Sequence, residues 1–120
     1  MSKLIHFEIL ADDPHKLADF YKVVMGWQIN AWPEMPDYLL ITTVPDDNTV
    51  VNGAIMHRDF PQAVINTIEV ESLEAALEKV VTAGGQKLYG PNLVPGVGLH
   101  AYCADPEGNL FGLMEPRPGN

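Results

Sequence analysis

The chain has 120 residues, one domain's worth, and its 7 Lys and Arg stand against 16 Asp and Glu for a net charge of −9. That balance repels phosphate backbones and argues against nucleic acid as a partner. With 47% hydrophobic and 19% charged residues the composition is that of a folded globular protein, and no apolar run reaches membrane-spanning length. The single cysteine, Cys103, excludes an intramolecular disulfide and suits a reducing compartment. The first residues run into a charged strand and lack an apolar signal core, so the expectation is a cytoplasmic protein.

In chain order, residues 5–10 read as a strand. Asp12 or Asp13 caps the helix that follows, and Pro14 suits its first position. Leu17, Phe20, Tyr21 and Val24 recur at helical spacing as an apolar face, and Gly26 supplies the left-handed stop. Extended runs at 27–29, 38–43 and 50–57 follow, broken by Pro45, Asp46, Asp47 and Asn48, and residues 58–62 read as a connector. The same grammar then returns. A strand at 65–70 leads to Ser72 as cap, a helix with Leu73, Ala76, Leu77, Val80 and Val81 on one face, and a stop at Gly84 and Gly85. Residues 86–89 are extended, 91–98 form a Pro/Gly-rich loop suited to a lid, and 99–103 pairs with 110–115 as a hairpin around a turn at 105–109.

The chain is thus written twice, at an offset of roughly 59 residues. Each half reads strand, helix, strand, strand, strand. Module one covers about 1–60 and module two about 61–120, and both share one domain because neither half buries enough surface alone. A site between two like halves would draw matching positions from each. No phosphate loop, nucleophile elbow, Cys-x-x-Cys pair or His-Glu-x-x-His motif is present.

The duplication, Asp19-Phe20-Tyr21 followed by Met25-Gly26-Trp27, and Asp105-Pro106-Glu107-Gly108-Asn109 ahead of Leu113-Met114-Glu115 resemble the vicinal oxygen chelate superfamily. That group holds glyoxalase I, extradiol dioxygenases and bleomycin-resistance proteins, and the resemblance is strongest to small bacterial proteins related to lactoylglutathione lyase. It implies an α+β fold in which two tandem βαβββ modules form a partly open, curled mixed sheet around a pocket, and it implies a homodimer. Metal-dependent members carry His, Glu or Gln on the first and last strand of each module. Here those positions fall on His6, Ala54, Ile65 and Gly112, so only His6 keeps a donor. Divalent metals need several N or O donors at roughly 2.0–2.3 Å. No cofactor is therefore expected, and lactoylglutathione lyase or extradiol dioxygenase chemistry lacks its ligands.

His6 and Glu8 lie two apart on one strand face and are the candidate acid–base pair; a carboxylate desolvated there would serve as a base. Thr67 matches Glu8 by the repeat. Trp27 and Trp32 are candidates for an apolar lining, His57 for the pocket mouth, and His100 and Tyr102 share one face of a strand. The leading expectation is a protein that binds a small organic ligand in its barrel without the metal set. A lyase or isomerase using His6 and Glu8 for proton transfer, with or without an unusual metal, is the alternative, and a non-catalytic structural or regulatory dimer the second.

Overall fold

A computed structural model of the chain describes residues 2–117. Its elements run β1 (Lys3–Ala11), α1 (Pro14–Met25), β2 (Gln28–Trp32), β3 (Met35–Thr42), β4 (Asn52–His57), β5 (Val64–Glu69), α2 (Leu73–Thr82), β6 (Gln86–Val94), β7 (Gly98–Ala104) and β8 (Leu110–Pro116). This is an α+β chain of two βαβββ repeats. Two compact units divide it: one from His6 to Ile65, the other from Asn66 onward together with the residues before His6.

In the unit from His6 to Ile65, β1 pairs in parallel with β4, β4 antiparallel with β3, and β3 antiparallel with β2. The Asp13 carboxylate accepts from the Lys16 amide at the start of α1, and Pro14 occupies the first turn, where a missing N–H costs nothing. Gly26 stops the helix at φ 70°, a conformation that a Cβ would strain. The core lies between α1 and one sheet face: Ala11, Ala18, Ile29, Leu39, Ile41 and Ile55, with Phe7, Ile9, Leu17, Tyr21 and Trp27 packed against them. Ile55 is fully buried, which is worth about 1.5–3 kcal/mol on its own. Phe20 and Val24 are not part of this face; they are 54% and 55% exposed. At 100° per residue Phe20 points roughly 200° away from the buried Ala18, and its ring rests edge-on against Tyr21 instead.

In the other unit β5 pairs in parallel with β8, β8 antiparallel with β7, and β7 antiparallel with β6. Val70, Leu73, Ala101, Cys103 and Leu113 form the core beneath α2, joined by Ile68, Ala76, Leu77, Val80, Leu99 and Phe111. Val81, which the spacing puts on the apolar face, is 60% exposed near the end of α2. The stretch 91–98 is mostly strand rather than loop. Asn92, Leu93 and Val94 pair with His100, Leu99 and Gly98, and the register shift between Tyr89 and Asn92 accommodates Gly90 and Pro91. That leaves too short a connection for the lid expected there.

Glu115 holds the start of α2. Its Oε1 accepts from the Leu73 amide at 2.9 Å and its Oε2 from Arg117 Nε at 3.2 Å, while Ser72 Oγ accepts from the Ala75 amide. The amide bond, then the Arg117 bond, hold the Glu115 carboxyl below its ordinary value. A carboxyl depressed in the folded state stabilises above its unfolded pKa, and that contribution is lost as pH falls through the folded one. The expected outcome is that Glu115→Ala lowers Tm at neutral pH and that the gap to the parent protein closes on acidification, as read by thermal melts across pH 2–7.

Candidate functional site

Side chains alternate across a strand, so each strand gives one set to the helix core and the other to the opposite face. On β1, Phe7, Ile9 and Ala11 join the α1 core, and His6 and Glu8 therefore lie on the other face. On β3, Leu39 and Ile41 join the core and Tyr38 and Leu40 do not. On β4, Ile55 takes the core and Ala54 faces the other way, opposite Glu8 on one side and Leu40 on the other.

That face carries a connected polar chain. The Tyr38 hydroxyl donates to Glu8 Oε2 at 2.5 Å and meets His6 Nε2 at 2.9 Å. The first distance is at the short end for a hydroxyl on a carboxylate, roughly 2.5–2.7 Å. Glu8 is buried at 4% exposure, a cost that its hydrogen bonding offsets. Burial lowers the pKa of His6, partly countered by the Glu8 charge. The Trp32 ring stands edge-on to Tyr38 with centroids 5.8 Å apart. The structure thus brings together His6, Glu8 and Trp32 through Tyr38, which carries no site signal in the sequence. Alternation with Leu39 and Ile41 marks the face of Tyr38, but no local pattern says that β3 lies within reach of β1.

The other expected residues sit elsewhere. Trp27 packs between Phe7 and Tyr21 on the helix side, stacked on Tyr21 at 5.4 Å. His57 ends β4 on the face of Ile55, exposed and bonded to Asp59 at 3.0 Å. A groove beside α1, lined by Asp12, Lys16, Phe20 and Arg58 among others, contains none of the expected site residues. In the unit that holds α2, Ala101 and Cys103 join the core, which puts His100 and Tyr102 on the opposite face with their rings 4.4 Å apart. Thr67, Gly112 and Tyr102 align across β5, β8 and β7, and Thr67 is 3% exposed.

The positions that the resemblance assigns to metal ligands do not fit a metal. Ala54 and Ile65 are fully buried aliphatic side chains, and His6 Nε2 is engaged by Tyr38. At Gly112 even a Cβ would lie 2.6 Å from Thr67 Oγ1 and 2.9 Å from His100 Nε2, so a donor side chain has no room. Among the described residues no three His, Cys, Asp or Glu converge as a ligand set.

Two βαβββ repeats, each with a helix on one sheet face and polar groups on the other, define a class before they define a family. A structure of a glyoxalase/bleomycin resistance protein/dioxygenase superfamily member from Vibrio splendidus 12B01 shares this fold at TM-score 0.67 and 15% identity, covering 98% of this chain and 100% of that one. The methylmalonyl-CoA epimerase of Mycobacterium tuberculosis shares it at TM-score 0.66 and 16% identity, covering 96% and 88%. The sequence matches the glyoxalase-like domain over residues 6–114, and the chain belongs to that family. Proteins of Mycobacterium bovis and M. tuberculosis named "Putative glyoxylase CFP32" are 28% identical over 118 residues, 96% of this chain. This chain spans 44% of their length.

Two outcomes follow from the geometry. Gly112→Ala overpacks Thr67 and His100 and destabilises the fold by about 1–3 kcal/mol, read as a lowered denaturant midpoint. His6 titrates below the ordinary histidine range because burial disfavours the imidazolium, a shift that NMR of its ring protons measures directly.

Proposed function

We propose that this glyoxalase-like protein binds a small, oxygen-bearing organic ligand against Glu8, Tyr38 and His6, with Trp32 as an apolar wall and without the family's metal set. The observation that carries the reading is the buried Glu8 carboxylate joined through Tyr38 to a half-buried histidine, on the sheet face away from α1. Taking a carboxylate out of water costs free energy, and apolar residues would serve stability as well. A polar chain kept there is better explained by a ligand than by folding. Thr67, His100 and Tyr102 offer a second polar face with hydroxyl and imidazole groups of the same kind.

Proton transfer of the lyase or isomerase type is the second reading, and the order carboxylate, hydroxyl, imidazole favours it, since a base oriented by a further group is the usual form of an activated one. The fold shared with methylmalonyl-CoA epimerase is compatible with it. Polarisation of substrate oxygens by a divalent ion needs donors that positions 54, 65 and 112 do not supply.

A screen of small carbonyl, carboxylate and hydroxyl compounds by NMR tests the binding reading. The expected hits shift the resonances of His6, Tyr38 and Trp32, and Glu8→Gln weakens them about tenfold with the fold retained. Shifts gathered in the groove beside α1, or binding indifferent to Glu8→Gln, would contradict it.

A further inference from the structure

A tyrosine hydroxyl has one proton, and at Tyr38 both Glu8 and His6 lie within hydrogen-bond distance of it. Glu8 Oε2, at 2.5 Å, accepts that proton. The contact from Tyr38 to His6 Nε2, at 2.9 Å, is then complete only if Nε2 carries a hydrogen and donates to the hydroxyl oxygen. Which ring nitrogen of a histidine is protonated follows from the bond the other end makes. Among the described residues His6 Nδ1 has no hydrogen-bond partner.

Building on the proposed site, we infer that Tyr38 is a positioning residue that holds His6 as its Nε2–H tautomer and leaves the Nδ1 lone pair to accept a proton from the ligand. The ligand class this fits carries an acidic hydrogen on oxygen, nitrogen or an activated carbon. In a transfer, the bond from that hydrogen to the ligand breaks, its electron pair stays on the ligand, and the proton bonds to Nδ1. The resulting imidazolium keeps its Nε2 hydrogen on Tyr38, Tyr38 keeps its own proton on Glu8, and the Glu8 carboxylate balances the new charge. Only the ligand's proton moves. Glu8 therefore acts through Tyr38 on the base rather than as the base itself, which reverses the role that sequence spacing alone suggests for it.

The test uses the ligand-free full chain labelled with ¹⁵N at histidine. Long-range proton–nitrogen correlation should show His6 as a single Nε2–H tautomer, with its Hε2 proton protected from exchange with water. Tyr38→Phe keeps the ring against Trp32 but removes the acceptor, and should speed Hε2 exchange at least tenfold. Glu8→Gln, the second variant, keeps an acceptor for the Tyr38 hydroxyl and should retain most of the protection. An Nδ1–H tautomer in the parent protein, or Hε2 exchange as fast there as in Tyr38→Phe, would overturn the inference. The parent measurement decides the matter even if a variant fails to fold. Because no ligand is involved, its failure leaves the binding screen standing, and a blank screen leaves the tautomer assignment standing.

Discussion

Each βαβββ repeat has four strands and one helix, and a helix covers only one face of a sheet. Everything else about this chain follows from how the sequence deals with that limit. On β1, β3 and β4 the alternation sends Phe7, Ile9, Leu39, Ile41 and Ile55 to α1 and commits His6, Glu8, Tyr38 and Ala54 to the opposite face. On β7 the same rule sends Ala101 and Cys103 to α2 and His100 and Tyr102 away from it. The apolar face supplies the stability; the other is where polar side chains are affordable and where chemistry can be placed.

On that second face the positions that the family resemblance assigns to metal ligands do not suit a metal, by residue type at the first level and by packing at the next. Ala54 and Ile65 remove donors outright, and Gly112 lets Thr67 and His100 approach a space that a ligand side chain would need. What remains is the Glu8–Tyr38–His6 chain, built on β1 and β3, the two strands that flank β4 within one unit, and held by hydrogen bonds of 2.5 and 2.9 Å. Strands position side chains more rigidly than loops do, so a hydrogen-bonded chain across β1 and β3 is well suited to fixing one tautomer and one geometry.

The fold was legible because its signals are local. Asp13 and Ser72 as caps, Gly26 as a stop, and the turn at 105–109 each act within a few residues, and their repetition at a fixed offset discloses the duplicated architecture. The site was legible only in part. His6 and Glu8 share a strand, so their common face can be read off spacing of two. Tyr38 lies 30 residues from Glu8, and its contact depends on strand order. Trp27 and Trp32 look equivalent in sequence, yet one packs under α1 and the other against Tyr38, because β2 begins after Trp27 and carries Trp32 at its end. The stretch at 91–98 differs from the loop its composition suggests for a similar reason: Gly90 and Pro91 look like loop punctuation but mark an irregularity within a continuing strand. Nothing local to Glu115 discloses its part in capping α2, because its partner amide is 42 positions away at Leu73.

The central proposal is that the first repeat meets a ligand with a polar chain of side chains rather than with a metal centre. Elemental analysis of gently purified protein, repeated after incubation with Zn²⁺, Ni²⁺, Mn²⁺ or Fe²⁺ and desalting, tests it most directly. The account predicts no stoichiometric retention of any of the four ions. Retention near one ion per chain that disappears in His6→Ala would contradict it and restore His6 to a metal set.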